Sequence, residues 1–600
     1  MNPTQIETYR KRIDQFAIEL KTAKQRHALV SIIRLFCIIG ILVSWFWVFT
    51  INPWLGSFLG NFLIVLFLIL LKVHKTIEEK RDFLIQLIEI NQKELDCCQG
   101  IFSQFEGGEE FVDTNHPYSY DMDLFGAGSL FQYINRTVTN KGKELLANWL
   151  QNIPLDETTI LKNQKAIREL VPQLSFRQKF RAYGKVFQTK AEDESMVHRW
   201  MFLPSFFKRA KVASTILWIV PAINICILIL AIFGFIGWSV FTVTIIVNLA
   251  IVGSRLKQFN EAYALLTKSH GSLKRMEQLL LLVESLNPEC RLSKELLSLL
   301  HKNQIPASRQ INKLTKLLDG LDNRNNILIG ILLNSLLLWD WQYLFRIEKW
   351  AQSHRTDYDN WIYTIGYFDA LNCLANFSFN NSDFTFPEIV PVGFQLSAVE
   401  MGHPLLLKED RICNNFDLSG QPRYAIVTGA NMAGKSTFLR TVGVNLILAG
   451  CGAPVCAKEF KVTPLPLYSS MRTEDSLMKH ESYFYAELKR LQRIVHELDK
   501  GRKLFIVLDE ILRGTNSEDK RKGSIGFVKK ITEKMAYGLV ATHDLELAKL
   551  AEQLPQLFTA ICFEVTLNNN ELEFDYKLQP GVTQNMNASF LMQRMGIIDI

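Results

Sequence analysis

Four long apolar runs constrain the fold of this chain more than any other sequence feature. They cover residues 29–51, 54–73, 212–233 and 236–252. A helix needs about 20 residues to cross a hydrocarbon core of about 30 Å, and the runs are close to that length. Asn52-Pro53 interrupts the first pair of runs, and Gly234 and Gly237 interrupt the second pair. The pattern predicts two transmembrane helical hairpins rather than four buried core helices, because core helices of this length usually keep a polar face.

Charged residues beside these runs predict their orientation. Basic side chains flank both hairpins, whereas the turns within the hairpins have none. The flanking residues are Lys21, Lys24, Arg26, Lys72, Lys75, Lys80, Arg81, Lys208, Arg209, Lys211, Arg255 and Lys257. By the positive-inside rule, both termini and the segment between the hairpins face the cytoplasm. Aromatic rings favour the headgroup boundary, and the predicted outer ends carry Trp45, Trp47, Trp54 and Trp238. Pro221 and Asn224 fit a membrane span least well.

The composition excludes some classes of protein and leaves others open. The 600 residues suffice for several domains, with 48% hydrophobic and 21% charged residues. A formal net charge of +7 permits contact with nucleic acid or anionic lipid without requiring either. The ten cysteines lack metal-ligand spacing, which indicates reduced thiols in a protein facing the cytoplasm. A charged stretch over residues 9–26 precedes the first apolar run, unlike a cleavable signal peptide.

A glycine-rich loop between a β-rich run and a helical run predicts a nucleotide site. Residues 424–428 resemble a short strand, residues 438–448 resemble a helix, and the pattern G-x-x-x-x-G-K-S lies between them. In such a loop, backbone N–H groups and the helix N-terminus bind phosphate. Lys435 is expected to reach the β- and γ-phosphates of ATP, and the Ser436 hydroxyl to bind Mg²⁺. The predicted nucleotide-binding residues are Gly429, Ala430, Asn431, Met432, Ala433, Gly434, Lys435, Ser436 and Thr437.

Two further apolar runs predict the catalytic side of the same site. Residues 503–508 read as a buried strand ending in Asp509-Glu510. An Asp at this position can hold Mg²⁺, and the following Glu can orient the attacking water. Residues 536–541 read as another strand, after which His543 can sense the γ-phosphate or steady the water. We therefore expect Lys435, Glu510 and His543 to be catalytic, and Ser436 and Asp509 to be the magnesium ligands.

These segments resemble the MutS family of mismatch-repair ATPases. The loop TGANMAGKST at 428–437 is similar to that family's TGPNMGGKST, with the Asn-Met pair as its most distinctive part. LDEILRGTNS at 508–517 looks like LDEIGRGTST, and ATHD at 541–544 looks like ATHY. Weaker similarities extend over roughly residues 115–590 with gaps, at His403-Pro404, at Cys413-Asn414-Asn415, at 576–581, and in the predicted helical core at 123–150 and 369–375.

The resemblance implies a dimer with paired sites. In this family two ATPase domains face each other and bind ATP and Mg²⁺, and each domain receives a signature Ser from its partner. The segment SYFYAE at 482–487 is similar to the STFxxE signature of the family. The resemblance therefore implies that Ser482 acts on the site of the partner chain. Asn414, in the element ahead of the loop, would contact the nucleotide. The signature usually has Gly two residues before its Ser, whereas this chain has His480, followed by Glu481. This difference predicts an altered contact to the partner's phosphate or an altered hydrolysis rate.

The expected fold is an α/β P-loop ATPase domain of the MutS type at the C-terminus, preceded by an all-α MutS-like core and lever domain that transmembrane hairpins interrupt. A mismatch-reading domain and a β-rich DNA clamp are not recognisable in the sequence. The predicted divisions are a cytoplasmic N-terminal helix at 1–27, a transmembrane hairpin at 28–74, a helical linker at 75–114, the first part of the core at 115–210, a second hairpin at 211–253, core and lever helices at 254–389 and the ATPase domain at 390–600.

Three hypotheses about function remain open at this point. The first is a dimeric MutS-like ATPase, anchored in an inner or plasma membrane by four helices, that senses or clamps DNA. The second is a membrane scaffold or signalling ATPase that does not bind DNA and acts on unknown protein partners. The third is half of an ABC-like transporter, which is disfavoured because only four spans and no LSGGQ signature are present. DNA binding separates the first hypothesis from the second.

Overall fold

The computed structural model describes residues 3–583, apart from 188–190, 208–209, 303, 323, 325, 422, 431, 473–482 and 569–570. Six residues singled out from the sequence lie outside the described residues, namely Lys208, Arg209, Asn431, His480, Glu481 and Ser482. The remainder consists of a mainly helical N-terminal region followed by an α/β domain.

The first apolar pair forms one long antiparallel hairpin. Its helices are α1 (Pro3–Val43), continued by a π-helical turn (Ser44–Val48) and α2 (Phe49–Ile51), and then α3 (Pro53–Cys98). Asn52 ends the first arm with an extended backbone, and its side chain accepts hydrogen bonds from the N–H groups of Trp54 and Leu55. Pro53 suits the first helical position because its missing N–H would have no helical partner there. The predicted boundaries near 27 and 74 therefore fall inside continuous helices.

A short helical core follows the first hairpin and surrounds its inner end. Its elements are a 3₁₀ turn (Glu109–Phe111), α4 (Leu130–Ile134), α5 (Asn140–Gln151), α6 (Glu157–Leu170), α7 (Leu174–Val186) and α8 (Ala191–Met201). Phe16 of α1 and Leu84, Leu87 and Ile90 of α3 pack in one apolar cluster with Ala182 of α7. The charged N-terminal helix thus has a buried face of its own and is part of the folded core.

The second apolar pair forms α9 (Ala210–Ile232) and α10 (Trp238–Gly253). Within the described residues, three helices are long and apolar enough to cross a membrane, two in the first hairpin and one in α9. The sequence predicts four spans, but α10 has only 16 residues. It reaches spanning length only together with the next helix, across a bend of 62°. The bend arises because the α-helix ends at Ser254, and Arg255 has a non-helical backbone.

Long helices connect the second pair to the C-terminal domain. They are α11 (Leu256–Lys268), α12 (His270–Glu284), α13 (Arg291–Ser298), α14 (Ala307–Asp322), α15 (Ile327–Leu337) and α16 (Trp339–Asn380), with a small antiparallel pair of strands, β1 (His301–Lys302) and β2 (Ile305–Pro306), before α14. The 42 residues of α16 correspond to about 63 Å at 1.5 Å per residue. This helix runs from the second apolar pair to the start of the C-terminal domain.

The C-terminal domain contains two sheets. In chain order its elements are β3 (Glu388–Ile389), β4 (Leu396–Met401), β5 (Asn414–Asp417), β6 (Tyr424–Gly429), α17 (Lys435–Cys451), β7 (Glu459–Val462), β8 (Leu467–Ser470), α18 (Tyr483–Asp499), β9 (Leu504–Asp509), α19 (Ser517–Thr532), β10 (Ala536–Ala541), α20 (Leu545–Ala548), α21 (Leu550–Gln553), β11 (Phe558–Asn568) and β12 (Glu571–Pro580). The larger sheet has the order β12-β11-β6-β10-β9-β8, and only β12 is antiparallel to its neighbour. The smaller sheet has the order β3-β7-β4-β5.

A buried carboxylate joins the helical core to the C-terminal domain. Asp121, which is 2% exposed, accepts hydrogen bonds from Ser469 Oγ at 2.6 Å and from the backbone N–H of Arg472 at 3.0 Å. Its neighbour Asp123 pairs with Arg440 of α17 at 3.1 Å. These contacts connect the core to the end of β8 and to the helix that follows the glycine loop.

Candidate nucleotide site

Three parallel strands end at the same level of the larger sheet. Ala541 of β10 is in register with Val427 of β6 on one side and with Asp509 of β9 on the other. Each strand is buried and apolar up to its last residues, so the first polar groups along each chain appear at one edge. The parallel order explains why segments separated by more than a hundred residues converge there. Sites in α/β sheets commonly form at this carboxyl edge.

Glycine is required at both ends of the loop between β6 and α17. Gly429 has φ of +147°, and a Cβ at this position would lie 2.8 Å from the carbonyl oxygen of Phe563. Gly434 caps α17 with φ of +104°, a left-handed conformation that side chains disfavour. Met432 also has positive φ, and its side chain is 78% exposed at the rim of the loop. The two glycines thus allow the backbone turns at which the loop leaves β6 and enters α17.

Lys435 lies at the base of the loop and is 6% exposed. Its Nζ donates to the carbonyl oxygens of Gly429 at 2.7 Å and Ala430 at 2.9 Å, and lies 3.3 Å from His543 Nε2. Burial lowers the pKa of this lysine, and the nearby carboxylates of Glu510 and Asp509 oppose that effect. A buried cation at the N-terminus of α17 gives the loop the charge that binds phosphate.

Ser436 and Asp509 meet across the neighbouring strand. The Ser436 hydroxyl donates to Asp509 Oδ2 at 2.6 Å, and the aspartate is 7% exposed. A hydroxyl and a carboxylate are hard oxygen donors of the kind that Mg²⁺ prefers, and Mg²⁺ usually keeps water and substrate phosphate as its other ligands. The pair that the sequence predicts as magnesium ligands is therefore adjacent, and its donor chemistry fits that ion.

Glu510 and His543 form a second pair beside the first. Glu510 Oε1 lies 2.5 Å from His543 Nε2, and its other oxygen lies 3.2 Å from Arg513 Nε. Burial alone would raise the pKa of Glu510, but the hydrogen bond and charge of His543 and the charge of Arg513 lower it to about 2. Glu510 has φ of +48°, an uncommon conformation for a non-glycine residue. This backbone turn directs the carboxylate toward Lys435 and His543 at the edge of the sheet.

Glu487 of α18 supports the loop that carries Glu510, a role that the sequence alone does not reveal. It is 4% exposed, and its Oε1 accepts a hydrogen bond of 2.6 Å from the backbone N–H of Leu512. Burial raises the pKa of this carboxyl. Leu512 itself has φ of +63°, so the loop after β9 makes an unusual turn that Glu487 stabilises. The resemblance names this glutamate as part of the signature segment, and the contact gives it a positioning role.

An open cleft of about 720 Å³ lies above the glycine loop, lined among others by His403, Asn414, Lys435, Thr437 and Tyr576. The side chain of Asn414 is already bonded to β12, because it donates to the Tyr576 carbonyl at 3.0 Å and accepts from Leu578 N–H at 2.8 Å. Burial and nearby arginines lower the pKa of His403 to about 4, which keeps this ring neutral at physiological pH. The cleft has room for a nucleotide.

The described candidate residues therefore share one edge of the sheet. Residues of the loop, the first two residues of α17 and three polar groups at or just after the ends of the neighbouring strands converge there, namely Gly429, Ala430, Gly434, Lys435, Ser436, Asp509, Glu510 and His543. Ala433 is buried beneath the loop at 2% exposure. Asn431 and Ser482 lie outside the described residues, so their predicted roles stay predictions.

Known proteins resemble the C-terminal part of this chain. The family model "MutS domain V" matches residues 425–593. MutS protein homolog 4 of Homo sapiens is 31% identical over 222 residues, which are 34% of this chain and 22% of that protein. DNA mismatch repair protein MutS of Persephonella marina is 28% identical over 239 residues, 39% of this chain and 27% of that protein. Endonuclease MutS2 of Thermotoga neapolitana is 26% identical over 248 residues, which are 41% of this chain and 31% of that protein.

The similarity covers the site and leaves most of each relative unmatched. The chain spans less than a third of the length of these relatives. The matched stretch nevertheless contains the glycine loop, the strand ending in Asp509-Glu510, and His543. Residues 425–593 of this chain are therefore a domain of the MutS family.

Proposed function

We propose that this chain is a membrane-anchored MutS-like ATPase that binds ATP and Mg²⁺ in the cleft above the glycine loop. The observation that supports this best is the convergence of Lys435, the Ser436–Asp509 pair and the Glu510–His543 pair at one edge of the sheet. A phosphate loop, a magnesium pair and a carboxylate that orients water are the parts that phosphoryl transfer to water requires.

Each residue has a distinct task in the proposed hydrolysis. The loop N–H groups and Lys435 bind the β- and γ-phosphates and stabilise the negative charge that develops on the transferred group. Ser436 and Asp509 would hold Mg²⁺, which would supply positive charge to offset that of the phosphates. Glu510 accepts a hydrogen bond from the attacking water and orients it in line with the γ-phosphorus. His543 holds the carboxylate in position through the contact between Nε2 and Oε1.

The similarity of the C-terminal domain to MutS proteins supports a homodimer with paired sites. In this proposal Ser482 of each chain contacts the nucleotide of its partner, with the N-terminus of α18 adding favourable potential toward phosphate. The nearby contact of Glu487 with the loop after β9 supports the proposal, because it ties the signature helix to the loop that carries Glu510. The binding of ATP would therefore be coupled to the association of two domains.

The helices α1, α3, α9 and α10, the last continued beyond its bend by α11, are proposed to cross the bilayer. These four crossings leave the C-terminal domain and both termini in the cytoplasm. Their large apolar side chains face outward, for example Phe46 at 79% and Trp54 at 88% exposed. Such surfaces are stable in lipid and unfavourable in water. Basic residues flank the inner ends, in line with the positive-inside rule.

DNA is the proposed ligand of the whole assembly, because two of the relatives are named for mismatch repair or for an endonuclease. The formal charge of +7 permits this. A scaffold or signalling ATPase acting on protein partners is the alternative, because the unmatched helical region could have replaced DNA contacts.

Binding of the detergent-purified chain to homoduplex, mismatched and branched DNA across a salt series, with and without ATP, tests the proposal. We expect steady ATP hydrolysis and ATP-dependent DNA binding whose affinity falls as salt rises, because phosphate contacts release counterions. Lys435→Ala should lose both nucleotide binding and the ATP dependence, whereas Lys522→Ala, on the exposed face of α19, should behave as the wild type. Hydrolysis without DNA binding would favour the scaffold, and absence of nucleotide binding in the wild type would contradict the ATPase proposal itself.

A further inference from the structure

The short helix α15 has the composition of a membrane segment without the length of one. Its 11 residues, ILIGILLNSLL, include no charged side chain. At 1.5 Å per residue they extend about 16 Å, roughly half of the hydrocarbon core. A helix of this length and composition inside a soluble domain would be buried on most sides. The surroundings of α15 differ from those of such a buried helix, because several of its apolar side chains are exposed.

Two asparagines in the second apolar pair bind the last turn of α15. Asn224 of α9 donates from Nδ2 to the Leu336 carbonyl at 3.0 Å, and Asn248 of α10 donates to the Ser335 carbonyl at 2.7 Å. Each asparagine is 3% exposed. The last carbonyls of a helix have no partner within it, and a carbonyl left unpaired in an apolar medium is costly. These bonds explain why polar residues occur within the otherwise apolar α9 and α10.

Part of the α15 surface is exposed and apolar. Ile329, Ile331 and Leu332 are 44%, 51% and 58% exposed. This surface adjoins that of the two helices to which α15 is bonded, where Ile223 and Val247 are each 50% exposed. An exposed apolar surface continuous with a membrane-spanning one is suited to acyl chains, because the same medium would surround both.

We propose that α15 is inserted into the lipid bilayer beside α9 and α10, as a third and half-length membrane element that contacts acyl chains through Ile329, Ile331 and Leu332. The inference rests on the proposed membrane anchoring and deepens it. It makes the second membrane element a group of three helices in place of a hairpin. The short α10 then has α15 as a neighbour in the bilayer, and its Asn248 donates a hydrogen bond to the Ser335 carbonyl of α15.

Basic side chains lie on α14, the helix that precedes α15 in the chain. Arg309, Lys313 and Lys316 line an open cleft of about 710 Å³ that also includes Tyr343, in the second turn of α16. Arg309, Lys313 and Lys316 all lie on one exposed face of α14, the helix that leads to α15. Clusters of Lys and Arg beside a membrane segment attract anionic headgroups. This charge favours lipid over an apolar protein partner as the occupant of the surface.

The position of α15 also links the bilayer to the nucleotide domain. The chain turns at Leu338, which has φ of +48°, and continues directly into α16. The far end of α16 reaches Asn380, which donates a hydrogen bond to Glu94 of α3. A movement of the C-terminal domain that shifts α16 would therefore also shift the inserted helix.

Depth-dependent quenching in proteoliposomes of neutral and anionic phospholipid tests the insertion. We would label a cysteine introduced by Leu332→Cys or Ile331→Cys with a small fluorophore, in a background with Cys226→Ser, Cys290→Ser and Cys413→Ser that removes the three cysteines that are not buried. A label on Val247→Cys in α10 serves as the reference for a position in the proposed membrane helices. A label on Lys522→Cys in α19 serves as the reference for a position exposed to water. Retained ATP hydrolysis by each labelled variant shows that it is folded.

The outcomes separate the two proposals. Insertion of α15 predicts that positions 331 and 332 are quenched by acyl-chain nitroxide lipid as strongly as position 247, and are protected from aqueous iodide. Quenching of 331 and 332 by iodide, with 247 quenched by lipid, would overturn the insertion of α15 and leave the membrane anchor standing. Quenching of 247 by iodide as well would overturn the proposed anchoring of α10, and the insertion of α15 with it.

Discussion

At the scale of single residues, Glu510 is the group whose surroundings are most specific to hydrolysis. Its carboxylate is ionised because His543 and Arg513 lower its pKa to about 2, so it accepts hydrogen bonds at any physiological pH. Glu510→Gln keeps the shape and removes the charge. We expect ATP binding to persist and hydrolysis to fall by a factor of about 10² to 10⁴, the usual range for a lost general base.

A radiolabelled ATP turnover assay beside an equilibrium binding measurement checks this expectation. Glu518→Gln serves as the control, because that carboxylate pairs with Lys522 on an exposed face of α19. We also expect the Glu510→Gln dimer to accumulate with ATP bound, which size-exclusion chromatography would detect. Turnover at the wild-type rate would show that Glu510 does not orient the water.

Glu487 provides a second prediction at the residue scale. Glu487→Ala leaves the Leu512 N–H without its acceptor, which costs about 1–3 kcal/mol for a buried donor. The loop that carries Glu510 should lose its position, so kcat should fall while the affinity for ATP changes little. Glu487→Gln retains a carbonyl oxygen for the same hydrogen bond and should restore most of kcat. A loss of kcat in both variants would instead indicate that the charge matters.

At the scale of elements, close packing of the first hairpin depends on glycines. Gly56 and Gly60 form a G-x-x-x-G pattern on α3, and a Cβ at Gly60 would lie 2.0 Å from Trp45 Nε1. Ser44, which is fully buried, donates to the Gly56 carbonyl at 2.8 Å. Small residues therefore allow the two arms to approach each other in this region.

Gly60→Leu should separate the arms and lower the stability of the protein by about 1–3 kcal/mol, the usual range for overpacking. Thermal unfolding in detergent, followed by tryptophan fluorescence, measures the change. Gly253→Leu is the matched control, because no atom lies within 4 Å of the Cβ position there. Equal melting temperatures for Gly60→Leu and the wild type would show that the arms are not closely packed at this point.

The elements also show how far sequence reasoning reaches. The strand, loop and helix around Lys435 follow from a local pattern, and so do the strands before Asp509 and His543. The ends of α1 and α3 do not follow from a local pattern. Both helices extend beyond their apolar runs into polar segments, and one apolar face of these segments packs against residues distant in sequence. The helix α15 is missed for a different reason, since 11 residues are too few for a membrane pattern. Glu487 depends on a contact between separate segments.

At the scale of the whole molecule, one buried carboxylate connects the first hairpin to the helical core and to α16. Glu94 of α3 is fully buried and pairs with Arg136 at 2.7 Å and with Arg181. It also accepts hydrogen bonds from Asn376 at 3.1 Å and Asn380 at 2.9 Å, near the end of α16. The C-terminal ends of α3 and α16 thus meet at this carboxylate.

Glu94→Gln should destabilise the protein by about 3–5 kcal/mol, because it leaves two buried guanidinium groups without their carboxylate. Burial would raise the pKa of Glu94, but Arg136 and Arg181 together lower it below its ordinary value. The ion pair therefore contributes stability above the pKa of the unfolded carboxyl, and this contribution is lost as pH falls through the folded pKa. Chemical denaturation at neutral and acidic pH should show a difference in the free energy of unfolding between wild type and Glu94→Gln that shrinks toward low pH.

Glu89→Gln, which removes a half-exposed pair with Lys93, should cost less than about 1 kcal/mol. If Glu94→Gln were as stable as Glu89→Gln at neutral pH, Glu94 would not hold the hairpin to the core.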